Sequence, residues 1–200
     1  MYTLIGSPKS RAFRVLWTLE ELGVNYELKA AAPRSDEILA INPSGKVPAL
    51  LVDGEAIIDS VAIMQFLTDK HRSLTHPAGT LPRARQDSFT QLFCDEFDGT
   101  CWVMAKHNFV LPEEFRQKAA IRPALEWDIQ QAIKTLESRI GEGPWLTGDT
   151  FTIADMILLH CSNWMSMCGF DAPTGKSAEL IERIKLRPAY IRALEIREAS

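Results

Sequence analysis

Hydrophobic positions in the first part of the chain switch between strand-like runs and helix-like stripes. Thr3-Leu4-Ile5 is a short apolar run and predicts a strand, followed by a loop at Gly6-Ser7-Pro8-Lys9-Ser10. Ala12, Val15, Leu16, Leu19 and Leu22 then recur at helical spacing. They predict a helix over 11–22 that Gly23 ends. Tyr26-Glu27-Leu28 reads as a second strand, and a short helix is expected over 35–41, after Pro33. Ala49-Leu50-Leu51-Val52 and Ala56-Ile57-Ile58 flank Asp53-Gly54. That is a hairpin signal, because Gly accepts the positive φ of a primed turn. Pro48 cannot donate a ladder hydrogen bond, so it belongs at a strand's start or edge. The second hairpin strand runs into Asp59-Ser60, two good helix caps, and a helix over 60–70 with Ala62, Ile63, Phe66 and Leu67 facing inward. The order is β-α-β-α-β-β-α. A strand-helix-strand start implies a parallel pair with a right-handed crossover, to which the hairpin adds antiparallel strands.

The pattern changes after His71. Pro77, Gly79 and Pro82 interrupt helical continuity and suit a linker. Beyond it every long segment has helical periodicity. Leu125, Ile129, Ala132, Leu136 and Ile140 hold one face of a long helix that Gly141 and Gly143 stop. The stretch 152–168 is apolar on most sides and should be a central, buried helix. Thr152-Ile153-Ala154-Asp155 opens it as a capping box with Asp in the reciprocal role, a structural assignment for Asp155. Helices over 177–186 and 188–198 finish the chain. The expected architecture is therefore α/β plus all-α, with a small α/β domain over 1–74, a linker over 75–85 and an all-helical domain over 86–200.

Composition narrows the function classes. Of the 200 residues 46% are hydrophobic, enough for a sizeable core. The net charge is −4 with no cluster of Lys and Arg, which speaks against a nucleic-acid partner. The start has no basic stretch followed by a long apolar region, so no signal peptide is expected. The most apolar segment, 151–161, is broken by Asp155 and His160 and is too short to span a bilayer. A cytoplasmic protein without a membrane partner is the expectation. The four cysteines, at 94, 101, 161 and 168, form no Cys-x-x-Cys motif, so no metal or dithiol site is expected. They read as buried thiols of a reducing compartment.

Three segments, in order and at matching separations, resemble the glutathione transferase superfamily: "GSPKSRAFRVLWTLEELGVNYEL", "INPSGKVPALLVDGEAIIDSVAIMQFL" and "GPWLTGDTFTIADMIL". The resemblance covers nearly the whole chain. It implies a thioredoxin-like N-terminal domain, an all-helical C-terminal domain, glutathione bound as co-substrate on the first, and a homodimer.

The resemblance also implies roles for Lys46, Val47, Pro48, Asp59 and Ser60 in holding glutathione. A cis Val47–Pro48 bond would turn the Val47 N–H and C=O outward to pair with the cysteinyl backbone, a one-residue version of strand addition. Taken alone, Pro48 equally suits a plain strand start. Asp59-Ser60 lies where a strand meets a helix N-terminus, which favours an anion such as the γ-glutamyl carboxylate. Simple capping by Asp and Ser is compatible with that role. Asp59 would hold the ligand ammonium; many relatives have the longer Glu or Gln at this position, so the shorter side chain would reach the ligand only through its backbone or a water. Lys46 would pair with the glycyl carboxylate, or be a solvated lysine.

For catalysis, relatives use Tyr, Ser or Cys after the first strand. No Cys occurs before position 94, against the cysteine-type thiol-transferase and dehydroascorbate-reductase branches, and Tyr2 lies too early for the tyrosine type. Ser7 and Ser10 remain. The family's serine-type pattern resembles Ser-x-x-(Ser or Cys)-x-x-x-Arg; Ser7 matches its catalytic serine, Arg14 its arginine, and Ser10 would be the N-cap of the first helix, unless an alignment shift of a few residues exchanges the two serines. Either would act as a hydrogen-bond donor to the thiolate, not as a nucleophile. None of the four His lies near them in sequence, and there is no Gly-x-Ser-x-Gly elbow for hydrolysis.

A pocket for a small hydrophobic electrophile is expected between the domains, with Phe97, Trp102, Met104, Phe109 and Trp164 as candidate lining. Isomerisation or peroxide reduction could use the same thiolate. A different class is a non-catalytic binding module in a protein complex. That reading predicts loss of the Ser7, Val47 and Asp59-Ser60 set and added tails, neither of which is found.

Overall fold

The strand nearest the N-terminus is buried along its whole length. Strand β1 (Tyr2–Ile5) lies between β2 (Tyr26–Lys29), which is parallel to it, and β3 (Ala49–Val52), which is antiparallel; β4 (Glu55–Ile58) completes the sheet in the order β2-β1-β3-β4. A strand covered on both faces shows no polar–apolar alternation: Leu4 and Ile5 are fully buried, and the buried Thr3 hydroxyl meets Glu27 at 3.5 Å. β2 alternates between half-buried Tyr26 and Leu28 and exposed Glu27 and Lys29, as an edge strand does. The turn at Asp53-Gly54 has positive φ at both residues, the primed geometry read from the sequence.

The computed structural model describes residues 1–200. It contains two compact units, one of Met1–Ala78 with Lys185–Ser200 and one of Gly79–Ile184. In the first, α1 (Ala12–Leu22) and α3 (Ser60–His71) pack together, with Val15, Leu16, Leu19, Ile63, Met64 and Leu67 fully buried. The short α2 (Asp36–Ile41) anchors through Ile38 and is capped by Ser35, whose Oγ accepts the Ile38 N–H. The inward face of α3 is rotated from the expected one: Ala62 is exposed and Phe66 half-exposed, while Met64 and Thr68 are buried. Thr68 enters the core because its hydroxyl donates to the Met64 carbonyl at 2.9 Å, which removes the cost of burying it.

The last helix also differs from expectation. The sequence places 188–198 in the helical domain, but α9 (Pro188–Ala199) packs on α1. Its Tyr190 ring stands 4.8 Å from Trp17 and 5.9 Å from Phe13, centre to centre. Arg187 donates from two nitrogens to Glu21, at 2.6 and 2.7 Å, and Arg192 donates to Glu20 at 2.9 Å. The cause is the outer face of α1, which carries a large aromatic pair and two acidic residues that need cover and partners.

The second unit begins earlier than the expected linker end at 85. Helix α4 (Leu81–Leu92) starts after Thr80, whose hydroxyl accepts the Arg83 N–H at 3.3 Å. Pro82 sits in the first turn, where its missing N–H is not needed, so it begins this helix instead of breaking it. The chain continues through a π-helical stretch at Phe93–Gly99, α5 (Thr100–Ala105) and a second π-helical stretch at Lys106–Val110. Then come α6 (Lys118–Arg139), α7 (Ile153–Cys168) and α8 (Lys176–Lys185). α7 is the expected central helix, with Ile153, Ala154, Met156, Ile157, Leu159, Cys161 and Met165 fully buried. None of the four cysteines is in a disulfide; Cys101, Cys161 and Cys168 are buried, whereas Cys94 is half-exposed, against the expectation for it. No helix is long and apolar enough to cross a membrane.

Candidate functional site

Three chain segments leave the sheet at one end. Ile5 pairs with Ala49 across β1 and β3, and Ala49 pairs with Ile58 across β3 and β4. The residues just outside that line are Gly6-Ser7 after β1, Val47-Pro48 before β3, and Asp59-Ser60 after β4. The antiparallel hairpin thus gathers the serine loop, the Val-Pro segment and the α3 start, although more than fifty positions separate the first from the last. Both α1 and α3 begin at this end; their first N–H groups are met by Ser10, Arg11 and Asp59, except that of Ser60, which makes no hydrogen bond within the chain.

Close approach is possible because residue 6 is Gly. Its φ is +140°, and a Cβ there would lie 3.1 Å from the Val47 Cβ and 3.2 Å from that of Ala12. The loop that follows is internally bonded. The Ser7 carbonyl accepts the Ser10 N–H at 3.0 Å and the Ser10 hydroxyl at 2.7 Å. Ser10 Oγ in turn accepts the Ala12 N–H at 3.1 Å, so Ser10 tethers the start of α1. Ser7 Oγ accepts the Lys9 N–H at 3.2 Å, and Ser7 is half-buried. The two serines therefore differ in one respect. The Ser10 proton is committed to a backbone carbonyl, while the Ser7 hydroxyl is engaged only as an acceptor.

The Val47–Pro48 bond is cis. Its approach is held by Asn42, a buried residue at the end of α2. Asn42 Nδ2 donates to the Lys46 carbonyl at 2.9 Å, and its Oδ1 accepts the Ser44 N–H and hydroxyl at 3.1 and 2.9 Å. Val47 is half-buried, and its N–H and C=O make no hydrogen bond within the chain. Lys46 is exposed beside it. Asn42 was not singled out from the sequence; the signal is Asn-Pro-Ser-Gly, a turn-forming tetrad in which Asn can bond its own neighbours' backbone.

At the third segment Asp59 has φ +73° and ψ 125°, a conformation rare outside Gly. Its Oδ1 accepts the Val61 and Ala62 N–H groups at 2.9 and 3.1 Å, so it caps α3. Ser60 is 3% exposed, and its Oγ accepts from Arg14 Nη1 at 3.4 Å.

Residues 10–70 match the family model "Glutathione S-transferase, N-terminal domain". The chain is 31% identical over 156 residues to glutathione S-transferase GstA of Escherichia coli O157:H7, covering 74% of each chain. The chain belongs to the glutathione S-transferase family. It is also 29% identical over 170 residues to a maleylacetoacetate isomerase of Pseudomonas aeruginosa, covering 80% of this chain and 77% of that one. The crystal structure of a glutathione transferase from Methylococcus capsulatus str. Bath superposes over 100% of both chains with a TM-score of 0.86 at 24% identity. The fold is thus the thioredoxin-like sheet domain and the all-helical domain of a glutathione transferase, and the enzyme class is that of the family.

The residues expected to line an electrophile pocket in this glutathione transferase do not form one group. Trp102 on α5 and Trp164 on α7 are half-buried and meet edge to face at 6.4 Å, and His160 stands 6.3 Å from Trp164. Phe97 and Met104 are fully buried, Phe97 against Phe93 at 5.7 Å. Phe109 is exposed in the second π-helical stretch. Two surface grooves of the helical unit, about 460 and 560 Å³, are lined by other residues.

Asp155 stays outside the site. Its Oδ1 accepts the Leu146 N–H at 2.9 Å, and its Oδ2 accepts the Thr152 N–H at 2.8 Å and hydroxyl at 3.2 Å. Burial pushes its carboxyl up to about 6, and these hydrogen bonds oppose the rise. No group of His, Cys, Asp or Glu in the structure could hold a metal ion.

Proposed function

We propose that the chain binds glutathione at the end of the sheet where β1, β3 and β4 converge, and that Ser7 holds its thiol as the thiolate. In this reading Val47 pairs with the cysteinyl backbone beside Pro48. The Ser60 hydroxyl and N–H bind the γ-glutamyl carboxylate, the free Oδ2 of Asp59 takes the ammonium, and Lys46 meets the glycyl carboxylate. The observation that carries the reading is the shared register of Ile5, Ala49 and Ile58, which brings an open backbone edge, an anion site and a serine loop to one place. The serine assignment draws support from the hydrogen bonds of the loop: Ser10 donates inward and tethers α1, whereas the Ser7 proton has no acceptor within the chain.

The energetics suffice without a general base. A free thiol has a pKa of ~8.5. Lowering it by ~2 units requires about 2.7 kcal/mol of preference for the anion. A hydroxyl bond to a charged group contributes ~1.5–3 kcal/mol, and a helix N-terminus adds ~0.3–1 kcal/mol. The thiolate then attacks a small hydrophobic electrophile. The same thiolate would serve isomerisation, a reading favoured by the similarity to an isomerase over 80% of the chain. We place the enzyme in the cytoplasm as a homodimer, in line with four cysteines outside any disulfide and with the family resemblance.

The test is a pair of variants. Ser7→Ala should leave glutathione affinity nearly unchanged, raise the bound thiol's pKa by ~1–2 units, and cut turnover at pH 6.5 ~10-fold or more, with partial recovery toward pH 9. Thiolate absorbance of the binary complex follows the shift. Full activity and an unshifted titration in Ser7→Ala, with both lost in Ser10→Ala, would transfer the role to Ser10.

A further inference from the structure

One charged side chain lies beneath the site described above. Arg14 sits in the first half of α1 and is only 2% exposed, an unusual position for a guanidinium. Its Nη1 lies 3.4 Å from Ser60 Oγ, across the α1–α3 interface and beneath the N-terminus of α3. The backbone around it is firmly held, because the Thr18 hydroxyl donates to the Arg14 carbonyl at 2.8 Å.

We propose that Arg14 is a positioning residue for the glutathione carboxylate, acting through Ser60. This rests on the assignment of the carboxylate to Ser60. A guanidinium has donors and no acceptor. Ser60 Oγ can therefore meet Arg14 only as an acceptor, and its single proton is left to point away from Arg14. Without Arg14 the hydroxyl could turn inward, and a bound carboxylate would lose its donor. The same contact ties α1, which carries the Ser7 loop at its start, to the helix that holds the carboxylate.

A merely structural Arg14 would lower affinity for any peptide thiol, by loosening α1 against α3. A positioning Arg14 is selective. The experiment compares glutathione with γ-aminobutyryl-cysteinyl-glycine, which lacks the γ-glutamyl carboxylate and is otherwise the same peptide. Titration calorimetry on the full chain gives Kd for both. Arg14→Met should weaken glutathione binding about 10-fold, the worth of one good hydrogen bond to a charged group. It should change binding of the carboxylate-free peptide less than 2-fold, a difference within the spread of neutral surface changes. In a Ser60→Ala background the same substitution at position 14 should have little further effect, because the two act as one unit. Should Arg14→Met not fold, Arg14→Lys keeps the cation and most of the bulk while losing the planar fork. It should show the same selectivity at about 3-fold. KM for glutathione should rise with Kd in each variant. Equal losses for both peptides, or losses that multiply in the double variant, would overturn the proposal. A wild-type chain that binds both peptides equally would instead remove the carboxylate from Ser60, and the inference with it; that outcome is read on the unmutated protein.

Discussion

At two helix starts of this molecule an aspartate side chain accepts backbone N–H groups, Asp155 at α7 and Asp59 at α3, and the two are used in opposite ways. At the start of α7, Asp155 is fully buried and accepts from Leu146, from the Thr152 N–H and from the Thr152 hydroxyl. Both of its carboxylate oxygens are engaged inside the chain. At the start of α3, Asp59 is exposed, has a positive φ and bonds two N–H groups through Oδ1 alone. Ser60 beside it accepts from Arg14 and keeps a proton to give. The first carboxylate is used up within the fold and stabilises it. At the second, Asp59 Oδ2 and the Ser60 N–H and hydroxyl proton stay open, and such a helix start at a sheet end suits an anionic ligand. The same residue types at a helix start therefore do not report a site. What distinguishes them is whether their hydrogen bonds are finished within the protein.

The comparison breaks most readily at Asp155. Asp155→Ala leaves the Leu146 and Thr152 N–H groups buried without acceptors and should cost about 3 kcal/mol of stability, at ~1–3 kcal/mol per orphaned donor. Glutathione affinity of the folded fraction should stay within 2-fold of wild type, roughly the range of neutral changes. Denaturant melts and calorimetry read the two effects separately; a loss of affinity equal to the loss of stability would erase the distinction between the two helix starts. Ser60→Ala should give the reverse pattern. Its expected penalty is about 2 kcal/mol on glutathione binding, from the lost charge-assisted hydrogen bond, with little change in the unliganded Tm.

A pH series sharpens the contrast. The folded-state pKa of Asp155, about 6, is raised above its ordinary 3.8. Between those values the folded chain holds a proton that the unfolded chain has released. The contribution of this carboxyl is fully present below pH 3.8 and is lost as pH rises through about 6. The stability difference between wild type and Asp155→Asn should therefore fall across that window by about 1 kcal/mol per pH unit. A flat or rising difference would refute the assignment of burial as the dominant cause. The smallest effect is expected at Asp59. Asn is as good an N-cap, so Asp59→Asn should leave the Tm nearly unchanged. Loss of the charge that faces the ammonium should weaken glutathione binding by about 0.5–1 kcal/mol, as for a partly exposed ion pair. N-acetylglutathione, whose amine is capped, should not distinguish the two proteins.

Much of the architecture was legible from local pattern. The strand run at Thr3-Leu4-Ile5, the Asp53-Gly54 turn, the Gly23 helix stop and the Thr152–Asp155 capping box all appear where periodicity and capping chemistry put them. Each depends on contacts within a few residues, and such contacts are encoded in adjacent side chains. The misreadings share a different cause. Pro82 looked like a breaker, but its position in the first turn of α4 makes it a starter, and only the helix's register decides between the two. Ala62 looked inward because of its spacing, yet α1 covers the neighbouring face of α3.

The chain's own residues determined which chemistry is on offer: a serine loop after a strand, a Val-Pro segment before another, and an Asp-Ser pair at a helix start. Motif order was enough to connect them to a family. What tertiary structure alone decided is which of those groups remain open. Motif order favours Ser7 over Ser10, but only the fold shows that the Ser10 hydroxyl is committed to the Ser7 carbonyl. Arg14 and Ser60 are 46 residues apart, and only the packing of α1 on α3 makes them partners. Residues 187–192 are tied to Glu20 and Glu21 across more than 160 positions, a pairing no local periodicity encodes. The physical reason is the same in each case. Secondary structure is set by neighbours along the chain, whereas hydrogen-bond completion and burial depend on groups that only the closed fold brings within reach.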